Sequence, residues 1–291
     1  MTACRARLPG GRHHFQHGPI DLVLAAEGEP EAVEAALERA WLRFVPLLDE
    51  LVAELPLLRR CAEAAQVPAG PVAARMHAAV LPFRPAFVTP MAAVAGSVAD
   101  AVAACLAVPG VIRGYVNNGG DIALHLAPGA APFTIGVAAG SATVPGELPA
   151  RVRVGADDPW RGIATSGWRG RSLSLGIADR VTVLAADGAR ADAAATLIAN
   201  AVDAEHPGIG RLPASRVRDD SDLGERPVTV AVPPLPRATV ERALEAGAAQ
   251  ARRAVASALA GAVLLALQGR WRVVGPGVPF EDAPRGFAVA A

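Results

Sequence analysis

At 291 residues, 52% of them hydrophobic, the chain has ample material for a sizeable core. Its 28 basic and 28 acidic residues cancel, so no net field draws nucleic acid or an anionic membrane, and neither is expected as a partner. Apart from histidine, every basic residue is arginine, which excludes Schiff-base chemistry, a P-loop lysine and a lysine general base.

The N-terminal MTACRARLPGGRHH lacks the apolar core of a signal peptide. Cys4, Cys61 and Cys105 are far apart and form no CxxC pair. They imply neither a disulfide framework nor a zinc cage and fit a reducing, cytoplasmic setting. The longest uncharged apolar run, Ala254–Leu267 apart from its polar punctuation, is too short to span a bilayer.

Residues 1–19 are rich in glycine and histidine, and His13, His14 and His17 are read as surface residues without a metal scaffold. Ile20 to Ala25 predicts a short strand ending in a Glu-Gly-Glu-Pro turn. Pro30 suits the first position of a helix. From there Leu37, Trp41, Phe44, Leu48, Leu51 and Leu55 form one apolar stripe, broken where Pro46 and Pro56 intrude. Residues 66–90 read as irregular and proline-rich. Met91 to Leu106, with Asp100 as its single charge, predicts a buried helix that Pro109-Gly110 terminates.

Two strands, Val111 to Val116 and Ile122 to Leu126, flank Asn117-Asn118-Gly119-Gly120-Asp121. Asn-Gly is a strong hairpin signal, and glycine there also allows a ligand close to the backbone. Phe133 to Val137 and Arg151 to Val154 predict further strands. Thr165-Ser166-Gly167 follows a short strand, where two hydroxyls and successive N–H groups suit a phosphate. Val181 to Leu184 predicts a strand leading into a helix that opens at Asp192 and carries Thr196 four residues on. That spacing puts both on one face, either as a hard-cation pair or as a helix-start aspartate beside a packing threonine. A loop is expected over residues 206–227, then a strand at Val228 to Val232, a helix from Arg237 to about Ala260, and a hairpin of Val263 to Gln268 with Arg270 to Val274. The acidic Asp219 to Glu225 stretch lacks the closing carboxylate of a calcium loop. Strands arriving in neighbouring pairs point to an α+β protein with mixed, largely antiparallel sheets covered by helices. The expected organisation is one unit over residues 1–291, divisible into two intimate subdomains, with a frayed tail from 276 to 291.

In this order, NNGGDIAL at 117–124, IATSGWR at 163–169 and RADAAAT at 190–196 resemble the ApbE-like superfamily, best known for FAD:protein FMN transferases. The match lies mainly in residues 90–205. The continuation HPGIGRLPASRVRDDSDLGERPVTV resembles a functionally uncharacterised branch of that superfamily, over most of the chain. The resemblance implies an ApbE-like fold, Mg²⁺, FAD as substrate or ligand, and a flavoprotein as target. It implies Asp192, Thr196 and the main chain of Ala92 as metal ligands. It sets Asn118, Gly119, Gly120 and Asp121 against the nucleotide, and Thr165, Ser166 and Gly167 near the flavin or phosphates.

Two departures accompany it. Ala95 stands where the transferases carry lysine, and Ser172 to Asp179 replace their histidine-containing segment. No catalytic residue is assigned. The departures leave open an Mg²⁺-dependent enzyme cleaving or transferring at a flavin pyrophosphate, a binding or accessory protein on the same scaffold, or an enzyme for a non-flavin metabolite. A homodimer is considered from the frequency of symmetric dimers, with the apolar Val263 to Leu267 serving either an interface or the core.

Overall fold

A computed structural model describes residues 2–137, 150–276, 280–281 and 288–289. The chain divides into two compact units, the first comprising Met1–Phe133, Val154–Ala164 and Ala185–Ala193, and the second Thr134–Arg153, Thr165–Leu184 and Ala194–Ala291.

The first unit is built on an antiparallel sheet in the order Cys4–Leu8, Arg12–His17, Ile20–Gly28, Val111–Asn118, Asp121–Leu126 and the opening residues of strand Gly162–Ser166, of which Gly162 and Ile163 pair with Asp121–Leu126. Its first two strands lie where the sequence predicts none. RHHFQH is polar at most positions, yet Phe15 and His17 alternate inward and are buried. Phe15 meets Trp41 and Phe44 at centroid distances of 5.1 and 5.5 Å. The three histidines are dispersed by this strand: His14 Nε2 is 3.0 Å from Asp21 Oδ1, and His17 packs toward Phe44.

Helix Pro30–Phe44 begins on its proline, with Glu31 in the first turn and Arg43 in the last, as the helix dipole favours. It ends before Pro46, and Leu47–Ala53 and Leu55–Leu58 continue as separate pieces. The buried stripe is Ala36, Ala40, Phe44, Leu47 and Leu51, rotated from the predicted one. Pro71–Val80 is helical, against the expectation of irregular chain. Its proline occupies the start of the helix, where no N–H is needed, so the same residue that suggested a loop opens the helix. The predicted apolar helix is Val94–Ala103, flanked by 3₁₀ turns Pro90–Ala93 and Ala104–Leu106. It packs on strands Val111–Asn118 and Asp121–Leu126.

In the second unit, Ala262–Leu267 lies between Arg180–Ala185 and Arg270–Val274, antiparallel to both, and Ala288–Val289 pairs parallel with the latter. All six residues of Ala262–Leu267 are buried, so its apolar character is explained by core packing within the chain. Helix Arg237–Ala256 covers this sheet through Ala243, Leu244, Gly247, Ala248 and Ala251. The expected loop over 206–227 contains strand Gly210–Pro213, paired antiparallel with Pro227–Ala231, and the short helix Ala214–Val217. The tail expected to fray falls mostly outside the described residues, though Phe280–Glu281 pairs with Ala150–Val154. Among the described residues no helix is long and apolar enough to cross a membrane.

Candidate functional site

Strands Val111–Asn118 and Asp121–Leu126 close on a two-residue turn, Gly119-Gly120, with φ of 64° and 114°. Both positions need positive φ, which matches the turn to the right-handed twist of its strands. The Gly120 N–H donates to Asn117 Oδ1 at 2.8 Å, while open space surrounds the Gly120 α-carbon. Closing the turn here puts Asn118 directly opposite Asp121, so their side chains are nearest cross-strand neighbours. Asn118 is buried and its Nδ2 donates to the Ala95 carbonyl at 3.1 Å. The hairpin is thereby pinned to helix Val94–Ala103.

Helix Gly188–Ala201 opens at Gly188, one turn earlier than the sequence suggests, so Asp192 is inside the helix and is not its cap. The start is served by Asp100, whose two carboxylate oxygens accept the N–H groups of Gly188 at 2.8 Å and Ala189 at 2.9 Å. Asp187 Oδ1 accepts the N–H of Arg190 at 2.8 Å. Burial raises the Asp100 carboxyl to about 6, with the Asp187 charge adding to this and the two N–H bonds and Arg75 opposing it. The backbones approach closely because a side chain at Gly96 would place its Cβ 2.1 Å from the Gly188 carbonyl oxygen.

With the helix start occupied by Asp100, Asp192 is directed elsewhere. Its Oδ2 accepts the Gly96 N–H at 3.0 Å, and the Ala95 N–H adds a second bond. Its carboxyl is pushed well above the usual carboxylate range, first by burial and then by the negative charge of Asp121, with Asp100 contributing less. The two main-chain bonds only partly offset this. Asp192 is part-buried as a residue. Asp121 and Asp192, which are 71 residues apart in sequence, therefore share a field that a single positive charge would relieve.

The structure thus brings together Asn118, Asp121 and Asp192, with Gly119 and Gly120 as the turn that sets their register. Ala92 lies in the 3₁₀ turn just ahead of Ala95 and Gly96. Sequence reasoning missed Asp100, and also missed that Ala95 and Gly96 act through their main chain. The available signal was the Gly96-to-Asp100 spacing of four on a helix with no other charge. Thr196 follows Asp192 by one helical turn on the same face. It belongs to the second unit, as do Thr165, Ser166 and Gly167. There the Thr165 and Thr182 hydroxyls meet at 2.9 Å, and Gly167 packs against the main chain of Ala178 and Asp179.

The donors in the first unit are all oxygen, which suits a hard divalent cation and excludes a soft, thiolate-type centre. Among the described residues no group of three or more His, Cys, Asp or Glu forms a cage. A cation here would need water, carbonyl or ligand oxygens to complete its shell, as Mg²⁺ commonly does.

The family described as AbpE bacteria matches residues 5–273. A UPF0280 protein of Methanosphaerula palustris is 35% identical over 245 residues, spanning 80% of this chain and 96% of that protein. A UPF0280 protein of Methanothermobacter thermautotrophicus is 38% identical over 135 residues, spanning 46% of this chain and 50% of that one. The apo crystal structure of the flavinyl transferase ApbE of Pseudomonas stutzeri overlaps 95% of this chain and 97% of its own at 14% identity and a TM-score of 0.39, a likeness too low to bear weight. The family match covers both units and every residue of the site, and on that ground the chain belongs to the AbpE bacteria family, a divergent branch of the ApbE-like group its motifs resemble.

Proposed function

We propose that this protein binds a flavin nucleotide together with Mg²⁺ and acts at the nucleotide's pyrophosphate. The observation that carries the reading is the approach of Asp121 to Asp192, in a hairpin that sets Asp121 opposite Asn118 and ties Asn118 to the Ala95 carbonyl, so that the Asp121 charge helps to raise the Asp192 carboxyl. Mg²⁺, when bound, supplies charge neutralisation and Lewis acidity at phosphate oxygens. In the first unit, Asp121, Asp192 and the Ala92 carbonyl would hold it. The protein's own contribution is positioning. The Gly96 main-chain N–H fixes one Asp192 oxygen, orienting the carboxylate without a flexible partner. Asn118 locks the hairpin that carries Asp121. Family membership and the Thr-Ser-Gly turn support a flavin nucleotide as the ligand, with transfer of its FMN part to a flavoprotein as the reaction.

A second reading, binding without turnover, is favoured by Ala95. It offers the site its N–H and carbonyl and a methyl group, where the transferases carry a cationic side chain. One experiment separates the two. Purified protein is incubated with FAD, with and without Mg²⁺ and with and without a flavoprotein acceptor, while AMP release is followed, and binding is measured by thermal shift in parallel. Mg²⁺-dependent AMP release that Asp192→Asn abolishes supports the enzyme. FAD binding without release supports the binder, and absence of both overturns the proposal.

A further inference from the structure

The second unit contains a cation that the site described so far does not use. Arg180 opens strand Arg180–Ala185, and its guanidinium makes no hydrogen bond or close ion pair among the described residues, although it is half-buried. Burial pulls this guanidinium below its usual range, and the neighbouring Asp179 charge opposes that only in part. Asp179 does not pair with it directly because both of its oxygens are engaged. Oδ2 accepts the Gln268 N–H at 2.6 Å and Oδ1 the Trp168 indole N–H at 3.3 Å.

The placement of Arg180 links it to the Thr-Ser-Gly turn. The Thr165 and Thr182 hydroxyls touch at 2.9 Å, so their side chains share a face. Arg180 precedes Thr182 by two residues on its strand and projects to that same face. The turn stays beside it: the Trp168 N–H donates to the Ala178 carbonyl at 3.0 Å, and a Cβ at Gly167 would fall 2.5 Å from the Asp179 carbonyl oxygen. A second cation, Arg169, lies 4.7 Å over the Trp168 ring on the same turn. An uncommitted guanidinium fork beside a hydroxyl-bearing turn suits a tetrahedral oxyanion better than a neutral group.

We propose that Arg180, on the face it shares with Thr165, is the binding residue for a phosphoryl group of the ligand that occupies the Thr-Ser-Gly turn. The inference deepens the nucleotide reading and rests on it for the identity of the ligand, though not for the existence of the anion site.

The test uses the full chain in Mg²⁺-free buffer, with inorganic pyrophosphate as the probe in titration calorimetry. Arg180→Gln is expected to weaken pyrophosphate binding by about tenfold or more, and Arg180→Lys, which keeps the charge and loses the fork, by less. Without ligand, Arg180→Gln should melt at or above the wild-type temperature, because a desolvated and unpaired cation has been removed. A variant that melts several degrees lower shows a structural guanidinium and overturns the proposal. So does pyrophosphate binding that Arg180→Gln leaves unchanged, an absence of binding to the wild type, or equal binding of acetate. Asp192→Asn distinguishes the two ideas, since it should leave Mg²⁺-free pyrophosphate binding intact. If Arg180 variants change nothing while Asp192→Asn removes the Mg²⁺-dependent FAD response, this inference fails alone. If pyrophosphate binds through Arg180 but FAD is neither bound nor cleaved, the flavin reading fails alone.

Discussion

The surroundings of Asp192 in the first unit and of Arg180 in the second differ in how each treats a charge. Around Asp192, main-chain N–H groups hold the carboxylate, and further carboxylates crowd it. Around Arg180, the one adjacent carboxylate is turned to other donors and the cation is left desolvated. One region gathers carboxylates and the other sets a part-buried guanidinium beside a carboxylate that bonds elsewhere, although the whole chain is neutral. Net charge therefore conceals local imbalance, and it is the local imbalance that indicates ligand chemistry.

Four experiments break or sharpen this contrast. The largest effect is expected from Gly96→Val. Its Cβ would fall 2.1 Å from the Gly188 carbonyl oxygen, main chain that cannot step aside, so the helix carrying Asp192 must shift. A loss of about 3 kcal/mol or more is expected in urea denaturation, together with loss of any Mg²⁺ response.

The pH dependence follows in size. The folded-state Asp100 carboxyl stands at about 6 against 3.8 for the ordinary group, so the folded protein holds that proton more firmly than the unfolded chain. Its contribution therefore favours folding as pH falls, beginning near 6 and complete by about 4, for up to ~3 kcal/mol. In Asp100→Asn this slope should be absent. A wild-type stability that instead falls steadily from pH 6.5 to 4.5, equally in the variant, would contradict the assignment.

Asp192→Asn is expected to leave ligand-free stability unchanged or slightly higher. The amide oxygen keeps the bond from Gly96 while the repulsion from Asp121 disappears. Melting with and without Mg²⁺ checks this, and a strongly destabilised Asn variant would mean the carboxylate is structural. The smallest effect is assigned to Thr182→Val, which removes the buried hydroxyl that meets Thr165 and should cost ~1 kcal/mol.

Local patterns revealed most of the fold's interior. The apolar Met91 to Leu106 stretch, the Asn-Gly-Gly-Asp turn and the C-terminal hairpin all carry their signal within a few residues, and each forms where expected. Elements that depend on distant partners were hidden. Strand Arg12–His17 is mostly polar and owes its existence to Phe15 reaching Trp41 and Phe44. Strand Gly210–Pro213 is four residues long and is defined by Pro227–Ala231. The same distinction runs through the site. The turn at Asn118 to Asp121 was legible, but the meetings of Asp121 with Asp192 and of Asp100 with Gly188 span 71 and 88 residues and leave no periodic trace.

Because Asp100 grips the first two N–H groups of helix Gly188–Ala201, its protonation state is written into two backbone amides. The Gly188 and Ala189 cross-peaks in an ¹H–¹⁵N spectrum should move together between pH 7 and 5, with the midpoint near 6. A cation arriving beside Asp192 would draw that midpoint downward. The helix start thus doubles as a spectroscopic electrometer for the carboxylate cluster, readable without substrate, turnover or label on any side chain.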